Sequence, residues 1–300
     1  FNNGTYNLTL AELDQIEDDF PNLTETAMPI KAMKARYFYL NNQKEKAHQY
    51  ALLGSKDNPQ IFFGENLKAQ FFASEQQIDS AYYYSKLAFE NLPNNMPHYN
   101  LYMNSLVARK DVAEMNKSFE TVRALGGDTP IIWTIYLRSL ANVTGLGDTM
   151  TMSKAAEAFK LFPQDDTIFK LYRILTYGQQ RVVQAEEIYK QGIESYNAKD
   201  FNGAFGLFKQ AFDLDPLEYT YALNSGLALY ENGQYLEAVS YLNRIKSSKY
   251  VSLKEKALRY KGLSLYKAGS IPEACATFTK LVNTYPKRMY QQERQKYCAN

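Results

Sequence analysis

The stretch that decides the fold is IYKQGIESYNAKDFNGAFGLFKQAFDLDP, running from Ile188 to Pro216. In it Gly192 is followed by Ala204, Phe208, Ala211 and Pro216. The same small residues return at Gly226 with Ala238 and at Gly262 with Ala274, the last set carrying Phe278 and Pro286 at matching offsets. A period of 34 to 36 residues is that of a helix pair repeated along a chain. Ala204, Phe208 and Ala211 are spaced by four and three, which is one face of a helix, and Gly192 lies in the helix before it with Ile188, Ser195 and Tyr196. Small side chains at the crossing let the two helices approach closely. Asn197 to Asp200 supplies the turn, and Pro216 ends the second helix because its ring keeps the preceding residue out of helical geometry.

This order of small residue, small residue, aromatic and proline resembles the tetratricopeptide repeat. The resemblance implies an all-α, right-handed solenoid of antiparallel helix pairs, about seven repeats in all. Run backwards, a 34-residue ruler fits weaker copies at 28 to 61, 62 to 95, 96 to 129 and 130 to 164, with Ala35 and Ala69, Ala47 and Ala81, and Pro59 and Pro93 in register. Met103, Met115 and Phe119 take the corresponding places in the third copy, and the fourth needs one extra residue around Gly145 to Asp148. Residues 165 to 184 are expected to form a lone amphipathic helix through Ile168, Leu171, Tyr172 and Leu175, breaking the register before the regular repeats of 185 to 288. Residues 1 to 27 read as an N-terminal cap, where Thr9 and Glu12 form a capping box and Leu13, Ile16 and Phe20 share one side; 289 to 300 read as a polar C-terminal cap or tail.

Composition narrows the function classes. Lys plus Arg against Asp plus Glu is 34 against 32, so the chain lacks the positive field that a nucleic-acid partner or an anionic membrane surface favours. The longest apolar stretch, Pro130 to Val143, is interrupted by Thr134, Arg138, Ser139 and Asn142 and is too short to cross a bilayer. The two histidines, His48 and His98, fall in different repeats with no nucleophile at a recognisable spacing and read as surface side chains. Glu17, Asp18 and Asp19 read as a solvated helix end, and no phosphate-cradling glycine loop or HExxH pair occurs. No enzymatic activity, cofactor or metal is therefore expected. Cys275 and Cys298 read as one buried and one free thiol, a disulfide being the alternative in an oxidising compartment. Asn-x-Ser/Thr tripeptides at Asn3, Asn7, Asn22, Asn116 and Asn142 matter only in a secreted eukaryotic protein.

The candidate site follows from the repeat. The resemblance implies that the first helix of each unit lines the inner wall, so the residue after the small crossing position points into a groove. That row is Arg36, Gln70, Asn104 and Arg138, with Asn66, Asn100 and Thr134 four residues before three of them. Such asparagines are similar to the ladders with which some superhelical repeats hold extended backbone. In the C-terminal half the row turns apolar at Ile193, Leu227 and Leu263, and Tyr196, Tyr230 and Tyr266 stand three residues further on. Asn224 and Lys256 match places in the family's clamp for a peptide C-terminus, but Tyr189, Ile193 and Tyr260 stand where its other polar residues belong. The expected function is a non-enzymatic scaffold that takes an extended peptide or partner helix. The competing reading is the soluble accessory domain of a larger bacterial membrane enzyme acting on surface glycans, exported to the periplasm or another extracytoplasmic space. The chain begins at Phe1 without an initiator Met or a signal-peptide pattern, so it is expected to be a processed product or an excised fragment.

Overall fold

The structure, a computed structural model, describes residues 9, 11, 12, 23, 27–245 and 251–298. Among the described residues the chain is all-α: sixteen helices and no strand, with a single bridge between Leu23 and Pro29. It divides into two compact units, Phe1–Thr151 and Met152–Asn300.

The first unit holds α1 (Ile30–Leu40), α2 (Lys44–Asp57), α3 (Phe63–Ser74), α4 (Ile78–Asn91), α5 (Met96–Arg109), α6 (Val112–Gly126) and α7 (Pro130–Thr144), while α8 (Thr149–Leu161) runs across the division. α1 packs on α2, α3 on α4 and α5 on α6, and the first helices of successive pairs also meet one another, α1 with α3, α3 with α5 and α5 with α7. Ala35, Ala47, Ala69 and Ala81, the small positions of the ruler, are all buried. In the third pair Met103, Met115 and Phe119 are buried in their stead, so thioethers fill the crossing that alanine and glycine keep narrow elsewhere. At the N-terminus the Thr9–Glu12 box closes in both directions: Thr9 N–H donates to Glu12 Oε2 at 2.7 Å and Glu12 N–H to Thr9 Oγ1 at 3.2 Å. The helix face of Leu13, Ile16 and Phe20, with the acidic run behind it, lies outside the described residues.

The second unit continues with α9 (Asp166–Tyr177), α10 (Gln179–Asn197), α11 (Phe201–Leu214), α12 (Tyr219–Glu231), α13 (Tyr235–Leu242), α14 (Val251–Lys267), α15 (Ile271–Thr284) and α16 (Arg288–Cys298). Asp165 caps α9 by accepting from Ile168 N–H at 2.8 Å, and Gly178, at φ 87°, ends it. Residues 179 to 184 belong to the long α10 and not to α9. The crossing of α10 and α11 shows why Gly192 is glycine: a Cβ there would lie 2.6 Å from Phe208 Cε1, well inside van der Waals contact distance. A Cβ at Gly226 would lie 2.7 Å from Leu242 Cγ, and one at Gly262 3.0 Å from Phe278 Cε1.

One backbone feature keeps the same register. In six of the pairs the turn takes a positive φ at the same repeat position, at Asn42, Gln76, Lys110, Lys199, Gly233 and Gly269. Only the last two are glycine, so four turns carry a side chain in a conformation that disfavours one.

At the C-terminus one expectation fails and another is refined. Cys275 and Cys298 are not free thiols; they form a disulfide, their Cα atoms 5.5 Å apart, because the sharp reversal from α15 into α16 brings them together. Nor is the stretch from Arg288 to Lys296 a wholly solvated layer. Tyr290 is buried and donates its hydroxyl to Glu255, and Arg259 grips Glu293 with Nε at 2.9 Å and Nη2 at 2.6 Å from Oε1. The hydrogen bonds from Lys287 and Tyr290 hold the Glu255 carboxyl below its usual range, while burial pushes the Tyr290 hydroxyl up to about 12.

Candidate functional site

Arg36 on α1, Gln70 on α3, Asn104 on α5 and Arg138 on α7 are all exposed, and so is Asn100 one turn before Asn104. The first helices that carry them meet one another in turn along the first unit, α1 with α3, α3 with α5 and α5 with α7. Among the described residues neither Arg36 nor Arg138 enters an ion pair, whereas Arg109 pairs with Asp79 and Arg123 with Asp128 and Glu120. Two guanidinium groups at the ends and amides between them make a series able to donate to carbonyls and to bind carboxylates bidentately.

Asn66 departs from the row. It is 4% exposed, packed between α3 and α5, where its Oδ1 accepts from Gln70 Nε2 at 2.6 Å and its Nδ2 meets His98 Nδ1 at 2.9 Å. His98 likewise corrects the reading of a surface histidine, being 3% exposed with Nε2 2.9 Å from the carbonyl of Ile61. The local sequence holds it there. Asn95 caps α5 by accepting from His98 N–H at 3.2 Å, with Pro97 in the first turn. On the facing side Phe62, at φ 51°, turns the chain into α3 next to the Ile61 carbonyl. Burial holds His98 below the ordinary histidine range, against the pull of Ile61 and Glu65. His48 is half-buried, with Nε2 3.3 Å from Glu75 Oε1.

The tyrosine positions are occupied by packing. Tyr196 lies against Phe201 and Phe208 with centroids 5.3 and 6.4 Å away, Tyr230 against Tyr260 at 5.3 Å and Tyr235 at 5.7 Å, and Tyr266 against Tyr297 at 4.6 Å. All three are half-buried, and burial raises the hydroxyls of Tyr196 and Tyr230. Where the clamp pattern would leave Asn224 open, its Nδ2 donates to the Tyr189 hydroxyl at 2.7 Å. A cleft of about 310 Å³ in the second unit has Lys254, Lys261 and Lys280 around Leu242, Ile245 and Ala257, and none of the residues singled out in the sequence lines it. Among the described residues no group of three or more His, Cys, Asp or Glu is arranged to hold a metal, and no helix is long and apolar enough to cross a membrane.

Sequence reasoning missed the buried polar groups. Besides Asn66 and His98 these include Lys68, which donates to Tyr84 Oη at 2.7 Å, and Arg173, whose Nε donates to the fully buried Asp215 at 2.6 Å. The only advance signal was an asparagine three residues ahead of His98, which marks a helix cap.

Residues 256–288, most of α14 and all of α15, match a family model described as a tetratricopeptide repeat. No curated protein matches the chain by sequence. Solved structures similar to it include a tetratricopeptide repeat protein from Parabacteroides merdae, at 9% identity, covering 90% of this chain and 98% of that one with a TM-score of 0.38. The TPR2AB domain of yeast Sti1 in its pHSP90 complex is 14% identical over 89% of this chain and 95% of that one, TM-score 0.34. The pilF protein of Pseudomonas aeruginosa, also 14% identical, covers 89% and 95% at a TM-score of 0.29. At these scores the neighbours add nothing on function.

Proposed function

We propose that this chain, whose residues 256–288 match a tetratricopeptide repeat model, is a non-enzymatic scaffold that receives an extended peptide along the first helices of its N-terminal unit. One observation carries the reading: Arg36, Gln70, Asn104 and Arg138 share a repeat position on the first helices of four successive units, and every one is exposed. Amide side chains there satisfy the donors and acceptors of a peptide backbone, and the terminal guanidinium groups suit acidic side chains or a carboxylate. The Cys275–Cys298 bond supports an oxidising, extracytoplasmic setting.

A clean test avoids Gln70, because removing it strands the buried Oδ1 of Asn66. The better pair is Asn100→Ala with Asn104→Ala, both exposed. Peptides selected from a displayed random library on the whole chain would be titrated against wild type and the double variant. Two neutral hydrogen bonds at ~0.5–1.5 kcal/mol each predict a loss of roughly 5- to 150-fold in affinity with unchanged melting behaviour. Peptides that bind both proteins equally, or a selection that enriches none, refute the proposal.

A further inference from the structure

Gln70 is exposed, yet its amide is held from behind. Gln70 Nε2 donates to Asn66 Oδ1, Asn66 Nδ2 to His98 Nδ1, and His98 Nε2 to the Ile61 carbonyl, at 2.6, 2.9 and 2.9 Å. The chain of bonds has one direction. A carbonyl oxygen only accepts, so His98 carries its proton on Nε2 and leaves Nδ1 bare. A bare Nδ1 needs a donor, which turns the nitrogen of Asn66 towards it and the oxygen of Asn66 towards Gln70. Gln70 then has its nitrogen inward, and its carbonyl with one remaining N–H faces solvent.

We propose that His98 is a positioning residue for the polar row: through Asn66 it fixes which end of the Gln70 amide faces outward, and on gaining a proton it reverses that choice. The biological consequence rests on the peptide-binding reading, but the switch itself does not. A proton on Nδ1 sets a donor against the Asn66 nitrogen. Asn66 must then turn its oxygen to His98, which points its nitrogen at the nitrogen of Gln70; the bond from Gln70 Nε2 is broken, and the exposed Gln70 amide, turning its own oxygen inward to accept, presents its N–H groups outward.

The surroundings permit the change. On α3 the Glu65 carboxyl, whose buried Oε2 has no hydrogen-bond partner, acts on the imidazole electrostatically and favours its charged form. Lys68 of the same helix is turned to Tyr84 on α4. The other charged and titratable groups directed at α5 are engaged elsewhere on it: Asp79 of α4 by Arg109, Glu114 of α6 by Tyr102, while Glu120 of α6 and Tyr136 of α7 act on Tyr99.

The test needs no ligand. Nitrogen-edited NMR of the whole chain would follow the His98 ring and the Gln70 and Asn66 side-chain amides through an acid titration. At neutral pH the ring should show the Nε2–H tautomer, and the Gln70 amide should be shifted away from those of other exposed glutamines. As His98 titrates, the Gln70 amide signals should move along the same curve. His98→Phe should make the Gln70 signals independent of pH. Should that variant fail to fold, Asn66→Ala keeps the His98 bond to Ile61 and should give Gln70 an ordinary, pH-independent amide. An Nδ1–H tautomer, a Gln70 amide that ignores the titration, or one that keeps its wild-type shift in Asn66→Ala overturns the inference. Because these signals are read on the free protein, their failure is separate from that of the peptide titration at Asn100 and Asn104.

Discussion

Gly192 and Gly206 lie in the two helices of one pair, and replacing each by alanine separates two effects that usually come mixed. In either helix alanine is worth ~1 kcal/mol over glycine through backbone entropy. At Gly206 a new Cβ meets nothing within 4 Å, so that gain stands alone and Gly206→Ala should stabilise the chain. At Gly192 the Cβ would sit 2.6 and 2.7 Å from Phe208 Cε1 and Cδ1 and 3.3 Å from Leu207 Cβ. Phe208 is fully buried in a layer with Ala204 and Ala228, so the ring cannot yield without opening that layer. Overpacking of this kind costs ~1–3 kcal/mol, leaving Gly192→Ala between about neutral and 2 kcal/mol destabilised. The propensity gain cancels between the variants, so their difference reads the ~1–3 kcal/mol of overpacking directly. Both positions belong to the same compact unit, and urea unfolding followed by circular dichroism reports them on the same transition. Equal stability changes in the two variants would mean that α10 and α11 do not cross at Gly192, and the register argued from the repeats would fall with it.

Reducing the Cys275–Cys298 bond should cost ~3 kcal/mol of unfolded-chain entropy and loosen α16 first, seen as faster amide exchange at Tyr290 in reductant; unchanged exchange would refute the pin. His98 is depressed below its usual 6.5 in the folded chain, so below that pH the unfolded state takes up the proton first. Its contribution, present above pH 6.5, should therefore be lost as pH falls through the folded value, and His98→Phe should flatten that part of a stability-against-pH curve. Lys110→Gly should stabilise by about 1 kcal/mol, since Lys110 turns the chain at φ 55°; a loss in the melt would show the turn is not strained. Arg173→Met, which strands the buried Asp215, should destabilise by ~3–5 kcal/mol, and adding Asp215→Leu should recover part of it; additive losses would argue against a direct pair.

Much of the fold was legible because the decisive constraint is a volume, and volume is written in residue type. Gly192, Gly226, Ala204 and Ala238 are small because another helix lies against them, and a period is visible whenever that requirement recurs. The turns were less legible. Gly233 and Gly269 mark left-handed turns openly, but Asn42, Gln76, Lys110 and Lys199 take the same conformation without the residue that announces it, because closure of the helix pair overrides local preference. The disulfide was hidden for a related reason. Two cysteines 23 residues apart specify nothing until α15 and α16 fold back and bring their Cα atoms to 5.5 Å.

Within the candidate site, periodic reading compares like with like, and that is where it found and lost its residues. Arg36, Gln70, Asn104 and Arg138 are equivalent by repeat, and equivalence was enough to expect one environment for all four. The ruler also set Asn66 beside Asn100, its true equivalent 34 residues on, and so expected both to face outward. Asn66 instead bonds to His98, a residue of the next unit that occupies an unlike position. No period reveals such a pair, because its partners need only to be complementary in donors and acceptors. An asparagine with its oxygen on Gln70 and its nitrogen on an imidazole is buried without leaving either end unmet, whereas Asn100, with no such partner opposite, stays in solvent. Repeats thus predict which side chains share a surface, and the unlike contacts between neighbouring units decide which of them is withdrawn from it.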